Sequence, residues 1–69
     1  MRGLFSIERI LTINGNMLAH FPADKDGPEQ WVIQYFDNNL KCWITVLSAE
    51  SLEKLDTLCY YKLTNRDYY

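Results

Sequence analysis

The stretch from Gln30 to Leu47 constrains this chain more than any other, because it admits little but a β-hairpin. Its two halves are dense in aromatic and β-branched residues, which suit a pleated, half-buried surface. Asp37, Asn38 and Asn39 interrupt them. Asparagine tolerates positive φ, so Asn38-Asn39 is expected to form a two-residue turn. That turn fixes the register. Asp37 then pairs with Leu40, Tyr35 with Cys42, Ile33 with Ile44 and Trp31 with Val46. The apolar face under the rest of the fold would be Trp31, Ile33, Tyr35, Cys42, Ile44 and Val46. The opposite face would pair Phe36 with Lys41, Gln34 with Trp43 and Val32 with Thr45. A three-residue loop over 37–39 would set Gln34 against Cys42 and mix the faces. A one-residue slip exchanges core and solvent sides, so the cleaner partition is preferred.

After the hairpin, Ser48 is a suitable N-cap for a helix. Glu50 and Glu53 set negative charge against its positive end. Leu52, Leu55, Cys59 and then Lys62 or Leu63 keep helical spacing, Leu58 widens the stripe, and Thr64 with Asn65 ends it. Glu50 and Lys54 form an exposed i,i+4 pair.

Ahead of the hairpin the reading divides. Ile7 to Ile13 and Asn16 to Phe21 are expected to be two strands joined at Asn14-Gly15, a strong hairpin dipeptide. Leu11 then faces Leu18, Ile10 faces Ala19, Thr12 faces Met17 and Arg9 faces His20. The β-branched Ile7, Ile10, Thr12 and Ile13 favour this reading. The alternative is a short helix from Ser6, as N-cap, to Gly15. Residues 22–29, with two prolines, a glycine and alternating charges, read as a loop. The expected fold is α+β: one domain over residues 1–69, a four-stranded antiparallel sheet in ββββα order, and one C-terminal helix on one face. The alternative order is αβββα, with both sheet faces partly covered.

With 69 residues the core is small, and 48% hydrophobic content with five Tyr, three Phe and two Trp argues against disorder. Self-association would add burial that so short a chain lacks. A net charge of −2 without a basic cluster argues against a general nucleic-acid binder. No apolar run approaches the ~18 residues of a membrane span. Met1 to Phe5 starts like a leader peptide, but Glu8 and Arg9 break the apolar run, so a cytoplasmic protein is expected. Cys42 and Cys59 are expected to be reduced, buried thiols rather than a bridge.

Candidate chemistry is sparse. His20 has no Ser or Cys at a spacing that suggests a nucleophile and base. A zinc site would need His20, Cys42 and Cys59 to converge without any close ligand pair. Asp24-Lys25-Asp26-Gly27-Pro28-Glu29 has a calcium-loop flavour but lacks the third acidic position and the distant bidentate Glu. Isolated glycines provide no phosphate cradle. No cofactor, metal or enzymatic activity is expected.

One helix covers one sheet face, so an apolar patch on the other would mark an interface. The expected function is a small protein-binding module, a regulator or inhibitor by analogy with those of viruses and mobile elements. It would occupy a partner's surface through Val32, Phe36, Lys41 and Trp43, with Asp24 and Asp26 in the neighbouring loop. The partner is an unidentified protein, a second copy of the chain being one candidate. The alternative is single-stranded nucleic acid stacked on Trp43, Phe36, Tyr61, Tyr68 and Tyr69, with Lys41, Lys62, Arg66 and Arg9 supplying charge.

Overall fold

The computed structural model describes residues 4–13 and 15–64. Their order is α1 (Phe5–Leu11), β1 (Asn16–Phe21), β2 (Gln30–Asp37), β3 (Cys42–Ala49) and α2 (Leu52–Thr64). The fold is α+β, and its sheet is an antiparallel meander in the order β1-β2-β3. Three strands and two helices therefore replace the expected four strands and one helix; αβββα is the observed order. The leader-like Met1 to Gly3, the Asn14 turn position and the tail from Asn65 to Tyr69 lie outside the described residues.

Burial explains why residues 5–11 are helical despite their β-branched content. Ile7 and Ile10, three apart, lie on one side of a helix, whereas a strand would send them to opposite faces. Both are buried in one cluster with Ile33, Leu55 and Cys59. A seven-residue helix has little stability alone, so packing against α2 decides the conformation. Thr12 is the C-cap of α1, and Gly15, at φ 90°, leads into β1, where the Asn16 N–H donates to the Ile13 carbonyl at 3.2 Å.

The β2–β3 connection also departs from the two-residue turn. Asp37 pairs with Cys42, leaving residues 38–41 as the loop. The Asp37 carboxylate explains the longer loop. Its Oδ1 accepts the Asn39 N–H at 2.8 Å and the Leu40 N–H at 2.9 Å. The Lys41 N–H donates to the Asp37 carbonyl at 2.7 Å, and Lys41 takes φ 58° to rejoin the ladder. An aspartate that caps its own loop outweighs the turn preference of Asn38-Asn39.

The register moves by two residues, so the faces survive near the turn: Tyr35 opposes Ile44 and Phe36 opposes Trp43. A bulge then intervenes. Gln34 opposes Thr45, but Ile33 opposes Leu47, and Val46 is the extra residue. Leu47 thus packs against the core in the role expected of Val46. Trp31 and Ile33 lie under the helices as expected, Tyr35 and Ile44 are half-buried, and Cys42 is exposed.

β3 continues through Ser48 and Ala49, which pair with Val32 and Trp31, so Ser48 is not available as a cap. Ser51 caps α2 instead, its Oγ accepting the Lys54 N–H at 3.2 Å. Glu50 precedes the helix, and its pair with Lys54 spans 3.8 Å between exposed side chains. Leu55 and Cys59 are fully buried, Leu52 and Leu63 pack beside them, and Leu58 is exposed.

Leu18, Trp31, Ile33, Leu47 and Ala49 share the sheet face that meets both helices. The molecule is accordingly thin, 20 Å along its shortest axis against 39 and 38 Å along the others. It has one sheet layer and one helix layer. The expectation attached to αβββα, that both sheet faces are partly covered, gives way to two helices on one face.

Candidate functional site

The face turned away from the helices is built by strand pairing alone. Ala19, Val32 and Ser48 form one row across the sheet, and Met17, Gln34 and Thr45 form the next. Phe36 and Trp43 close the end near the β2–β3 loop, while Phe21 and Gln30 stand at the other end. Val32 is the floor at 5% exposure, with small residues on both sides. Around it Met17, Phe21, Phe36 and Trp43 are 55%, 52%, 39% and 49% exposed. Phe36 and Trp43 meet edge to face, 5.5 Å between centroids and 73° between planes. Gln34 Nε2 donates to Thr45 Oγ1 at 3.2 Å, fixing the polar centre of the patch. None of these paired residues carries a charge.

The structure gathers only part of the expected interaction surface. Val32, Phe36 and Trp43 share the open face. Their partners differ from those expected, because the longer loop sets Phe36 against Trp43 and the bulge sets Val32 against Ser48. Lys41 is exposed in the loop at the Phe36–Trp43 end. Asp24 and Asp26 lie in the loop at the far end of the strands, roughly 27 Å away over the eight residues of β2. Asp24 is occupied by its own loop. Its Oδ1 accepts the N–H groups of Asp26 and Gly27 at 2.8 and 3.1 Å, and its backbone pairs with that of Gly27. The residues missed from sequence are Met17, Ala19 and Phe21. Their alternation along β1 was a usable signal, but a hairpin assigned to residues 7–21 diverted it.

The remaining chemical groups are engaged elsewhere. His20 stacks on Trp31 at 3.7 Å and 11°, and its Nε2 lies 2.7 Å from Glu29 Oε2. Cys59 is sealed in the core and Cys42 is exposed; both are free. Burial pushes the Cys59 thiol up to about 11, and the neighbouring Asp56 carboxylate adds to the rise. Among the described residues no three His, Cys, Asp or Glu side chains gather to hold a metal. No helix there is long and apolar enough to cross a membrane.

A second concavity of about 420 Å³ opens between the helices, lined by Phe5, Ser6, Arg9, Tyr60, Leu63 and Thr64. Its cation is partly engaged, since the Arg9 guanidinium sits 5.8 Å from the Phe5 ring centroid. The aromatics considered for nucleic-acid stacking are divided: Phe36 and Trp43 lie on the sheet face, and Tyr61 lies on α2 in the other layer. Tyr68, Tyr69 and Arg66 lie outside the described residues.

Comparison with family models, curated proteins and solved structures gives no match.

Proposed function

We propose that the chain is a non-enzymatic protein-binding module whose open sheet face occupies the surface of a partner. The observation that carries this reading is four large apolar side chains, each more than a third exposed, around the buried Val32. A contiguous, uncharged apolar patch costs solubility, and on small proteins it usually marks an interface. Trp43 is the natural anchor, since tryptophan is among the residues that supply a disproportionate share of binding energy. A binder that works by occupancy acts as a regulator or inhibitor. Two free cysteines, one of them exposed, suit a reducing compartment such as the cytoplasm. Nucleic acid is disfavoured because the exposed rings divide between two layers, and a stacking platform needs them together with cations.

The test uses position 43 in two ways. Trp43→Ala should leave far-UV circular dichroism unchanged and the melting temperature within a few degrees. A photo-crosslinking amino acid at position 43 should give defined protein adducts in cells, and one at Tyr61 should not. Unfolding of Trp43→Ala would make Trp43 a core residue and refute the reading. Equal adducts from both positions would refute it as well.

A further inference from the structure

We infer that the occupant of the open face is a second copy of the chain, docked face to face about a two-fold axis that crosses the strands at the Gln34 row. This rests on the reading of that face as a binding surface and names its partner. Three observations carry it.

The first is shape. A bulky end, Phe36 with Trp43, and a small row, Ala19, Val32 and Ser48, lie on either side of the Gln34 row, with Phe21 and Gln30 beyond the small row. A two-fold across the strands lays the bulky end of each copy over the small row of the other. A two-fold along the strands would set bulky end on bulky end and leave the small rows facing a void. Packed sheets need interdigitation at about 10 Å separation, which only the first arrangement gives.

The second is charge. The patch itself has none, so stacking it on a copy meets no like-charge repulsion. Charge is confined to its two ends: Asp37 and Lys41 at the β2–β3 loop, where the Asp37 carboxylate is taken up by the Asn39 and Leu40 N–H groups and Lys41 is exposed, and Asp24, Lys25, Asp26 and Glu29 in the loop before β2, with Glu50 after β3 at that same end. Running the strands antiparallel across the interface brings Lys41 of each copy toward the acidic loop of the other, once at each end. That is the self-complementarity an isologous interface requires.

The third is area. Half-exposed Phe21, Phe36, Trp43 and Met17 offer roughly 75–125 Å² each. With the small and polar residues between them, a copy contributes roughly 500–600 Å², which places a dimer at the lower edge of stable interfaces. The association is therefore weak and reversible rather than obligate. Pairing through the edges of β1 or β3 would leave the apolar patch in water.

The experiment is sedimentation equilibrium of the full chain from low micromolar to millimolar concentration. The expected result is a reversible rise from one chain mass toward two. Thr45→Glu introduces charge at the axis, where the row meets its copy, and should weaken association by more than tenfold, with circular dichroism and melting unchanged. Lys41→Glu should weaken it by roughly three- to tenfold for two rim pairs. Adding Asp26→Lys to Lys41→Glu should restore it. Asp26 is chosen because the Asp24 carboxylate holds its loop together.

A single chain mass throughout overturns the inference. Crosslinking from position 43 then separates the two claims. Adducts with a different protein leave the binding face standing without the dimer, and no adducts remove both. Dimerisation unaffected by Thr45→Glu places the interface elsewhere and also overturns the inference. Failure of Asp26→Lys to rescue Lys41→Glu rejects the antiparallel arrangement.

Discussion

Replacing Asp56 with alanine should destabilise the domain by about 2–3 kcal/mol, with the loss concentrated in α1. Asp56 is on α2 and only 8% exposed, yet its Oδ1 accepts the Ile7 N–H at 2.8 Å. Ile7 is in the first turn of α1, where N–H groups have no partner within the helix. The residue at the cap position is Leu4, which has no side-chain oxygen and makes no capping bond. Asp56 therefore caps α1 from a distance of 49 residues in sequence. A hydrogen bond to a charged group is worth about 1.5–3 kcal/mol, and the alanine variant also leaves the buried N–H without an acceptor. A domain of this size has about 3–10 kcal/mol in total, so the cost is a large fraction of it.

Urea denaturation measures the global loss, and amide exchange by NMR locates it. Exchange at Ile7 and Ile10 should accelerate more than at Ile33, because α1 can undock while the meander persists. Asp56→Asn keeps an oxygen acceptor and should cost only about 1 kcal/mol. It should also lower the Cys59 thiol, but only partly, since burial is the larger cause of its rise. A cost under about 0.5 kcal/mol for Asp56→Ala, with α1 protection unchanged, would refute the capping argument.

The raised Cys59 thiol makes stability depend on pH above neutrality. The folded value, about 11, exceeds the ordinary thiol value of 9.0, so the unfolded chain loses its proton first as pH rises. The contribution is complete below pH 9 and falls away by pH 11, a decline of about 2–3 kcal/mol. Chemical denaturation of wild type and Cys59→Ala at pH 8, 9.5 and 11 checks it, since the variant should lack this slope. Iodoacetamide at pH 8 should modify exposed Cys42 once in the native state and reach buried Cys59 only after unfolding, read by intact mass. Lys41→Gly should stabilise the monomer by roughly 0.5–1 kcal/mol, because φ 58° is unfavourable for a side chain, and thermal melts measure it.

The hairpin was legible because its composition, alternation and turn residues agreed with one another. It was misplaced in detail by two devices that periodicity does not carry. One is Asp37, whose carboxylate gathers two loop N–H groups and lengthens the turn. The other is the bulge at Val46, which spends one residue without changing composition. The shift of two residues at the loop kept each side chain on its face, so Phe36 and Trp43 were found on the open face despite new partners. Residues 7–13 read as strand because Ile7, Ile10, Thr12 and Ile13 favour strands locally, yet residues 5–11 are helical. Their helical state depends on Leu55, Asp56 and Cys59, far away in sequence and invisible to a local window. Met17 and Phe21 were missed from the candidate surface for the same reason, since a wrong partner for β1 hides its open side.

The two faces of the sheet divide the work between stability and association. The helix side holds the fully buried Ile33, Leu55 and Cys59 together with the Asp56 cap. The open side holds exposed rings whose removal costs the monomer little buried area. Changes on the two sides act on opposite faces of the sheet and should be additive. Trp43→Ala combined with Asp56→Asn should lose as much stability as the two singles together, within about 0.5 kcal/mol. A larger coupling, measured by urea denaturation at a concentration where the chain is monomeric, would mean that the helix layer and the open face form one cooperative unit. The view of the sheet as a partition between folding and binding would then fail.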